Sequence, residues 1–216
     1  MQKFKGLRQA SHFGPTLIVT AIAFAFGTYY WWEGPAYVIA FTIATGQLVV
    51  GWSNDLYDYE DDVKHNRTNK PLVSGLITQQ YLQKWLRFMV PFSFIANLFG
   101  PLGFKGGMVY MLGIACGVGY NFYFKFSSLS PLPYAIAFAA LPSSIAISKE
   151  ITPPIWMWLG GALFGMAAHF INVIKDMKQD LESGIKGLPQ RLGTRRSVIV
   201  AVTLIALGVL TILLTT

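Results

Sequence analysis

Charge is what this sequence has least of. Asp, Glu, Lys and Arg together make up 12% of its 216 residues, where a soluble domain carries roughly 25%. That is too little to coat a water-exposed surface of this size, so an ordinary soluble domain is excluded. Cysteine is nearly missing: the single Cys116 excludes an intrachain disulfide and a multi-cysteine metal site. It lies in an apolar run and reads as packing. No low-complexity linker or break in composition divides the chain, so one integral membrane domain over residues 1–216 is expected. No cleavable signal peptide is visible. The basic start MQKFKGLRQASHF leads into a long apolar run, which reads as a retained first span.

What is abundant is apolar and aromatic surface. Hydrophobic residues make up 53% and aromatics 15%, and the mean hydropathy is +0.46. A span needs about 20 mostly apolar residues. Seven runs approach that length: Pro15 to Trp32, Ala36 to Trp52, Phe88 to Phe104, Gly107 to Phe124, Leu132 to Ile147, Ile155 to Ile174 and Ser197 to Thr216. The third is the least regular, with Pro91, Asn97, Gly100 and Pro101. These runs are too uniformly apolar for the alternation of a membrane barrel, and only helices or closed barrels satisfy their backbones in lipid. The expected fold is all-α, a polytopic transmembrane bundle of about seven spans.

The net charge of +7 follows this topology rather than nucleic-acid binding. With the N-terminus in the cytoplasm, fifteen of the 17 Lys and Arg residues fall on the cytoplasmic side, and only Lys105 and Lys149 fall outside. A missed helix would scatter the later charges. Trp31, Trp32, Trp156 and Trp158 then lie near the outer interface, where they read as anchors.

The acids are the most ordered feature. Eight of the ten, all but Glu33 and Glu150, sit at the cytoplasmic ends of the second and sixth runs. The first cluster contains Asn54, Asp58 and Asp62, and the second Asn172, Asp176 and Asp180. Each triplet has the spacing i, i+4, i+8, which stacks residues on one helix face. The second lies 118 residues after the first, position for position (54 to 172, 58 to 176, 62 to 180). Juxtamembrane acids paired with nearby Lys and Arg would account for one cluster but not for the same ordered triplet twice. Carboxylates gathered at a membrane boundary need neutralising, and Mg²⁺ takes one or two carboxylates plus phosphate oxygens and water. Two facing ridges would form a two-sided metal cage. Arg67, Lys70 and Lys186 follow the ridges and would take the remaining charge of a diphosphate. A diphosphate with its other end between apolar helices is an isoprenoid diphosphate, whose departure the metals would promote. The spacing predicts the second and sixth helices side by side, with Asp58 and Asp62 facing Asp176 and Asp180 across a gap.

The runs from Asn54 to Asp62, Arg67-x-x-Lys70-Pro71-Leu72 and Asp176-x-x-x-Asp180-x-x-x-Gly184 resemble the UbiA superfamily of intramembrane prenyltransferases. The resemblance reaches from the first run to Gly193. It implies two related helical halves around a central cavity, Mg²⁺ as cofactor, and an allylic isoprenoid diphosphate donor. It further implies a lipophilic or aromatic acceptor, such as a quinone precursor, and no nucleic-acid partner. It casts Asn54, Asp55, Asp58, Asp62, Asp176 and Asp180 as metal residues. Asp58, Asp62, Asp176, Asp180 and Lys125 become the catalytic set, with Asn54, Arg67, Lys70, Asn172, Lys186, Tyr120 and Tyr123 on the substrate. Many family members carry Tyr-x-x-x-Lys after the fourth helix. Here Tyr120 and Lys125 are five apart, which leaves both Tyr120 and Tyr123 as candidates. The family usually has nine helices, so the expectation for this chain is a domain short of the last ones. The multi-pass protein would carry its N-terminus and acidic motifs on the cytoplasmic side. His169, two turns before Asp176, reads mainly as packing.

Three rivals stand beside this reading. A transporter would need acids near the bilayer midplane at broken helices, whereas these lie at helix ends. A CDP-linked alcohol transferase would hold its acids in one contiguous motif. A non-catalytic short homologue is the third.

Overall fold

Backbone groups in an apolar chain must satisfy one another, and this one does so with helices. The computed structural model describes residues 2–215, with no strand among them. The helices are α1 (Gln2–Ala10), α2 (Phe13–Tyr30), α3 (Glu33–Lys64), α4 (Gln79–Phe99), α5 (Gly103–Phe122), α6 (Leu132–Ile147), α7 (Gly161–Glu182), α8 (Leu188–Leu192) and α9 (Thr194–Thr215). A short π-helical turn at Trp156–Gly160 leads into α7. Helices α2 to α7 and α9 coincide with the seven expected runs. Four stretches are long and apolar enough to cross a membrane: Phe13–Tyr30, Glu33–Lys64, Trp156–Glu182 and Thr194–Thr215. Helix α6 is apolar but has 16 residues.

Consecutive long helices pack on one another, and α3 also meets α5, while α2 meets α6. Ile39 and Ile43 of α3 form a core with Ala23, Tyr110, Ile114, Leu141 and Ile145. Lipid tails are as apolar as these side chains, so close packing and internal hydrogen bonds hold such helices together. At Gly165 of α7 a Cβ would collide with the Tyr134 carbonyl of α6; only glycine permits that approach. Asn97, wholly buried, donates from Nδ2 to the Ser93 carbonyl at 2.8 Å and the Thr42 carbonyl at 3.1 Å. Tyr110 donates to the Ile43 carbonyl at 2.7 Å.

The ends of the bundle differ. At one end Trp31 donates to Ser148 Oγ at 3.0 Å, and the Lys149 ammonium stands 4.2 Å from its ring centre. At the other end α1 lies against α3, where Trp52 Nε1 donates to the Leu7 carbonyl at 3.0 Å. The chain turns from α1 into α2 at His12, which has a left-handed φ of 50°. The segment after α3 is packed rather than loose: Leu72 and Ile77 join Ala10, Trp52 and Leu82 in a second core. That core fixes where Arg67 and Lys70 point.

Candidate active site

Helix α3 runs unbroken through its acidic segment to Lys64, so the first triplet is a ridge. Asn54 Nδ2 donates to Asp58 Oδ2 at 3.0 Å, which is the i, i+4 stacking expected. The ridge is not straight. Four residues overshoot a helical turn by about 40°, so Asp62 is rotated from Asp58 toward the face of Asp55, seven residues back. Asp55 and Asp62 are each 2% exposed and share Lys70, whose Nζ lies 2.7 Å from Asp55 and 3.9 Å from Asp62. Asp58 turns the other way, to Lys125.

Each first-ridge carboxylate has a cationic partner. Arg67 reaches Asp62 at 2.6 Å and Asp61 at 3.1 Å. The Lys125 ammonium rests on Asp58 Oδ1. Lys125 is only 6% exposed, held in a tight turn after α5 with the Tyr57 ring 4.8 Å away. His12 Nε2 lies 3.3 Å from Asp55. Burial by itself would lower the Lys70 pKa, but Asp55, backed by Asp62 and Asp58, outweighs it and holds the ammonium above the usual lysine range. Arg67 behaves alike: burial opposes its charge, Asp62 and Asp61 overcome it, and its pKa is raised.

The second ridge is anchored differently. Asp180 Oδ2 accepts from Gln190 Nε2 at 2.8 Å. Asp176 is exposed and forms no salt bridge among the described residues. Asn172 is exposed. The Tyr134 and Tyr120 rings enclose His169 at 4.9 and 5.5 Å. His169 is 1% exposed, and its Nε2 meets Ser130 Oγ at 3.0 Å. Ser130 Oγ also accepts the Leu188 N–H at 2.9 Å, latching the segment after α7 to the bundle.

The two ridges lie at one end of the bundle, but α3 and α7 are not side by side as the spacing predicted. They do not pack directly on each other: α3 packs on α5, α5 on α6 and α6 on α7. Shared spacing fixes which face a triplet occupies, not which helices touch. The link is polar: Arg67 Nη2 donates to Ser183 Oγ at 2.6 Å, three residues beyond Asp180. An open cleft of about 390 Å³ lies there, lined by His65 and Arg67 from one side and Lys175, Asp176, Lys178, Gln179 and Glu182 from the other.

The expected residues therefore fall into two groups. Asn54, Asp58 and Lys125 form one polar cluster, and Asp62, Arg67 and Lys70 form a second, which Arg67 bridges to Ser183 at the end of α7. Tyr120 meets Tyr134 edge-to-face, with ring centres 5.3 Å apart. Asp55 is buried under Lys70, away from the cleft. Tyr123 is 65% exposed and packs edge-on against Phe124. The Lys186 side chain is exposed, and its carbonyl accepts from Arg191. Sequence reasoning did not single out Asn121, which accepts from Asn54 at 3.0 Å, nor Tyr57, Ser130, Ser183 and Gln190. No spacing rule flags them, since each reaches the site from another element or another face.

The ridges offer oxygen donors, which suit a hard cation. Among the described residues no three His, Cys, Asp or Glu side chains converge into a closed metal cage. Mg²⁺ does not require one, because it keeps waters and takes part of its shell from substrate phosphates. The residues present fit it.

The comparisons agree with this fold. The UbiA prenyltransferase family model matches residues 13–216. A 4-hydroxybenzoate octaprenyltransferase of Saccharophagus degradans is 29% identical over 153 residues, covering 68% of this chain and 50% of that protein. The chain thus spans about half the length of this curated relative. A UbiA homolog from Archaeoglobus fulgidus bound to DMAPP and Mg²⁺ superposes with a TM-score of 0.76 at 18% identity, covering 98% of this chain and 76% of that one. The same homolog bound to GPP and Mg²⁺ gives 0.75 at 18% identity and the same coverage. At these identities the structural likeness shows the fold.

Proposed function

Because the chain belongs to the UbiA prenyltransferase family, we propose that it transfers a prenyl group within the membrane. The donor is an allylic isoprenoid diphosphate, the acceptor an aromatic or quinone-precursor molecule, and the reaction depends on Mg²⁺. The observation that carries this reading is the pair of Asn-Asp-Asp ridges at one end of the bundle, joined through Arg67 and Ser183 beside an open cleft that Arg67 and Asp176 help to line. The A. fulgidus homolog binds DMAPP or GPP with Mg²⁺, and the S. degradans relative is a 4-hydroxybenzoate octaprenyltransferase. Both support donor and acceptor of these classes.

Asn54, Asp58 and Asp62 would hold metal on one side of the diphosphate, and Asp176 and Asp180 on the other. Bound there, Mg²⁺ supplies charge that makes the diphosphate a better leaving group. Arg67, Lys70 and Lys125 bring three positive charges to the same end and stabilise the charge that develops as the allylic C–O bond breaks. Tyr120 and Tyr134 offer aromatic faces beside the second ridge, suited to a cationic prenyl group. The N-terminus and both ridges face the cytoplasm in this reading, as the charge asymmetry supports.

The test is product formation. Membranes carrying the chain are given dimethylallyl or geranyl diphosphate with a panel of hydroxylated aromatic acceptors, and products are identified by mass spectrometry. Prenylated acceptor that disappears with a chelator and returns with Mg²⁺ supports the reading. No prenylated product from any donor and acceptor pair contradicts it.

A further inference from the structure

Both oxygens of Asp58 are already taken. Asn54 Nδ2 donates to Oδ2 at 3.0 Å, and the Lys125 ammonium rests on Oδ1. Asp62 is in the same position, with Oδ1 held by Arg67 at 2.6 Å and Oδ2 facing Lys70 at 3.9 Å. A divalent ion that takes Asp58 through Oδ1 has to displace the Lys125 ammonium resting there, and the Oδ2 side is shared with Asn54. Lys125 is 6% exposed, so once displaced it has no water shell to retreat into. A buried charge left without a partner is strongly disfavoured. The displacement therefore needs a new anion, and the one that arrives at this end is the diphosphate. Asp176 provides the contrast, being exposed with no salt bridge among the described residues.

We propose that Lys125 is a resident counter-ion of the first ridge, handed from Asp58 to the incoming diphosphate, so that metal binding at that ridge is coupled to diphosphate binding. The inference rests on the proposed function and adds the order of events to it. Lys125 keeps Asp58 neutralised while the site is empty. It exchanges one anionic partner for another when donor arrives, and the vacated carboxylate then accepts the metal. By linkage, diphosphate raises the metal's affinity by the same factor as metal raises the diphosphate's. A lysine can make this exchange, as a positive charge on a flexible stem.

The test uses Mn²⁺ as the metal and inorganic pyrophosphate as the anion, on the full chain in detergent. Free Mn²⁺ is read from its electron paramagnetic resonance signal, with binding by pyrophosphate alone subtracted from a protein-free titration. In the wild type, Mn²⁺ binding should tighten by about tenfold or more when pyrophosphate is added, within the usual range of coupling between sites. Lys125→Met should bind Mn²⁺ more tightly than wild type without pyrophosphate and lose most of the enhancement. Adding Asp58→Asn to that variant should remove the gain. Lys125→Arg, which keeps the charge, should keep the wild-type dependence, and circular dichroism checks that each variant retains its helix content. If Lys125→Met binds Mn²⁺ no better than wild type, or if pyrophosphate leaves wild-type binding unchanged, the coupling is overturned while the proposed function stands. If no chain binds Mn²⁺ even with pyrophosphate, the metal reading of the function falls and the inference with it.

Discussion

Arg67 contacts Asp61, Asp62 and Ser183 at once, and its role separates two explanations of its charge. A topology charge affects insertion and nothing else. A diphosphate ligand affects the donor. Arg67→Ala should leave insertion intact, raise donor KM and lower kcat, each by about tenfold, as expected for loss of a charge-assisted bidentate contact. Kinetics in membranes normalised for inserted chain check this, and unchanged constants return Arg67 to topology. Lys70 gives a pH prediction. Its pKa is raised in the folded state, so its pairing with Asp55 contributes fully below the ordinary lysine value of about 10.4. That contribution is lost as pH rises through the higher folded value. Thermal stability in detergent should therefore show no loss traceable to this pair between pH 6 and 9, and a fall above about pH 10.5 that Lys70→Met abolishes. The ridges were legible in the sequence because i, i+4 stacking is a local rule, and the Asn54–Asp58 contact follows it. The partners of Asp58 and Asp62 were less so, since the helical overshoot turns them to different neighbours.

The segments after the acidic ridges behave as small structural elements. After α3, Leu72 and Ile77 bury against α1 and α4. After α7, Ser130 holds the Leu188 N–H, and Gln190 of α8 holds Asp180. A hydrogen bond to a charged group contributes about 1.5–3 kcal/mol, so Gln190→Leu should lower kcat by about tenfold or more by freeing the Asp180 carboxylate. Gln190→Glu should be worse still, because it sets two carboxylates together. Ser130→Ala leaves the Leu188 N–H unpaired and takes His169's partner away. It should destabilise the protein by about 1–3 kcal/mol, read as a lower Tm in detergent. The helices themselves were legible because membrane burial demands long apolar runs. These latches were not, because they join residues 58 and ten positions apart through contacts that no periodicity announces.

The whole molecule places two acidic ridges at one end of a helical bundle, with three basic side chains from two segments, Arg67, Lys70 and Lys125, beside them. The repeat of Asn, Asp and Asp at matched positions made that end visible in the sequence. The arrangement of neighbours was not visible, since identical spacing on α3 and α7 is compatible with direct packing or with the connection through α5 and α6 that the bundle has. The central claim is that both ridges act on one diphosphate. The most direct measurement is prenyl transfer by Asp58→Ala, Asp176→Ala and the double variant, in membranes normalised for inserted chain. Loss of one group from a preorganised charge site lowers rate by roughly 10²- to 10³-fold, and residues acting as a unit are strongly non-additive. Each single variant should fall by that amount, and the double variant should be little worse than either. Full activity in either single variant, or losses that simply multiply in the double, would contradict the account.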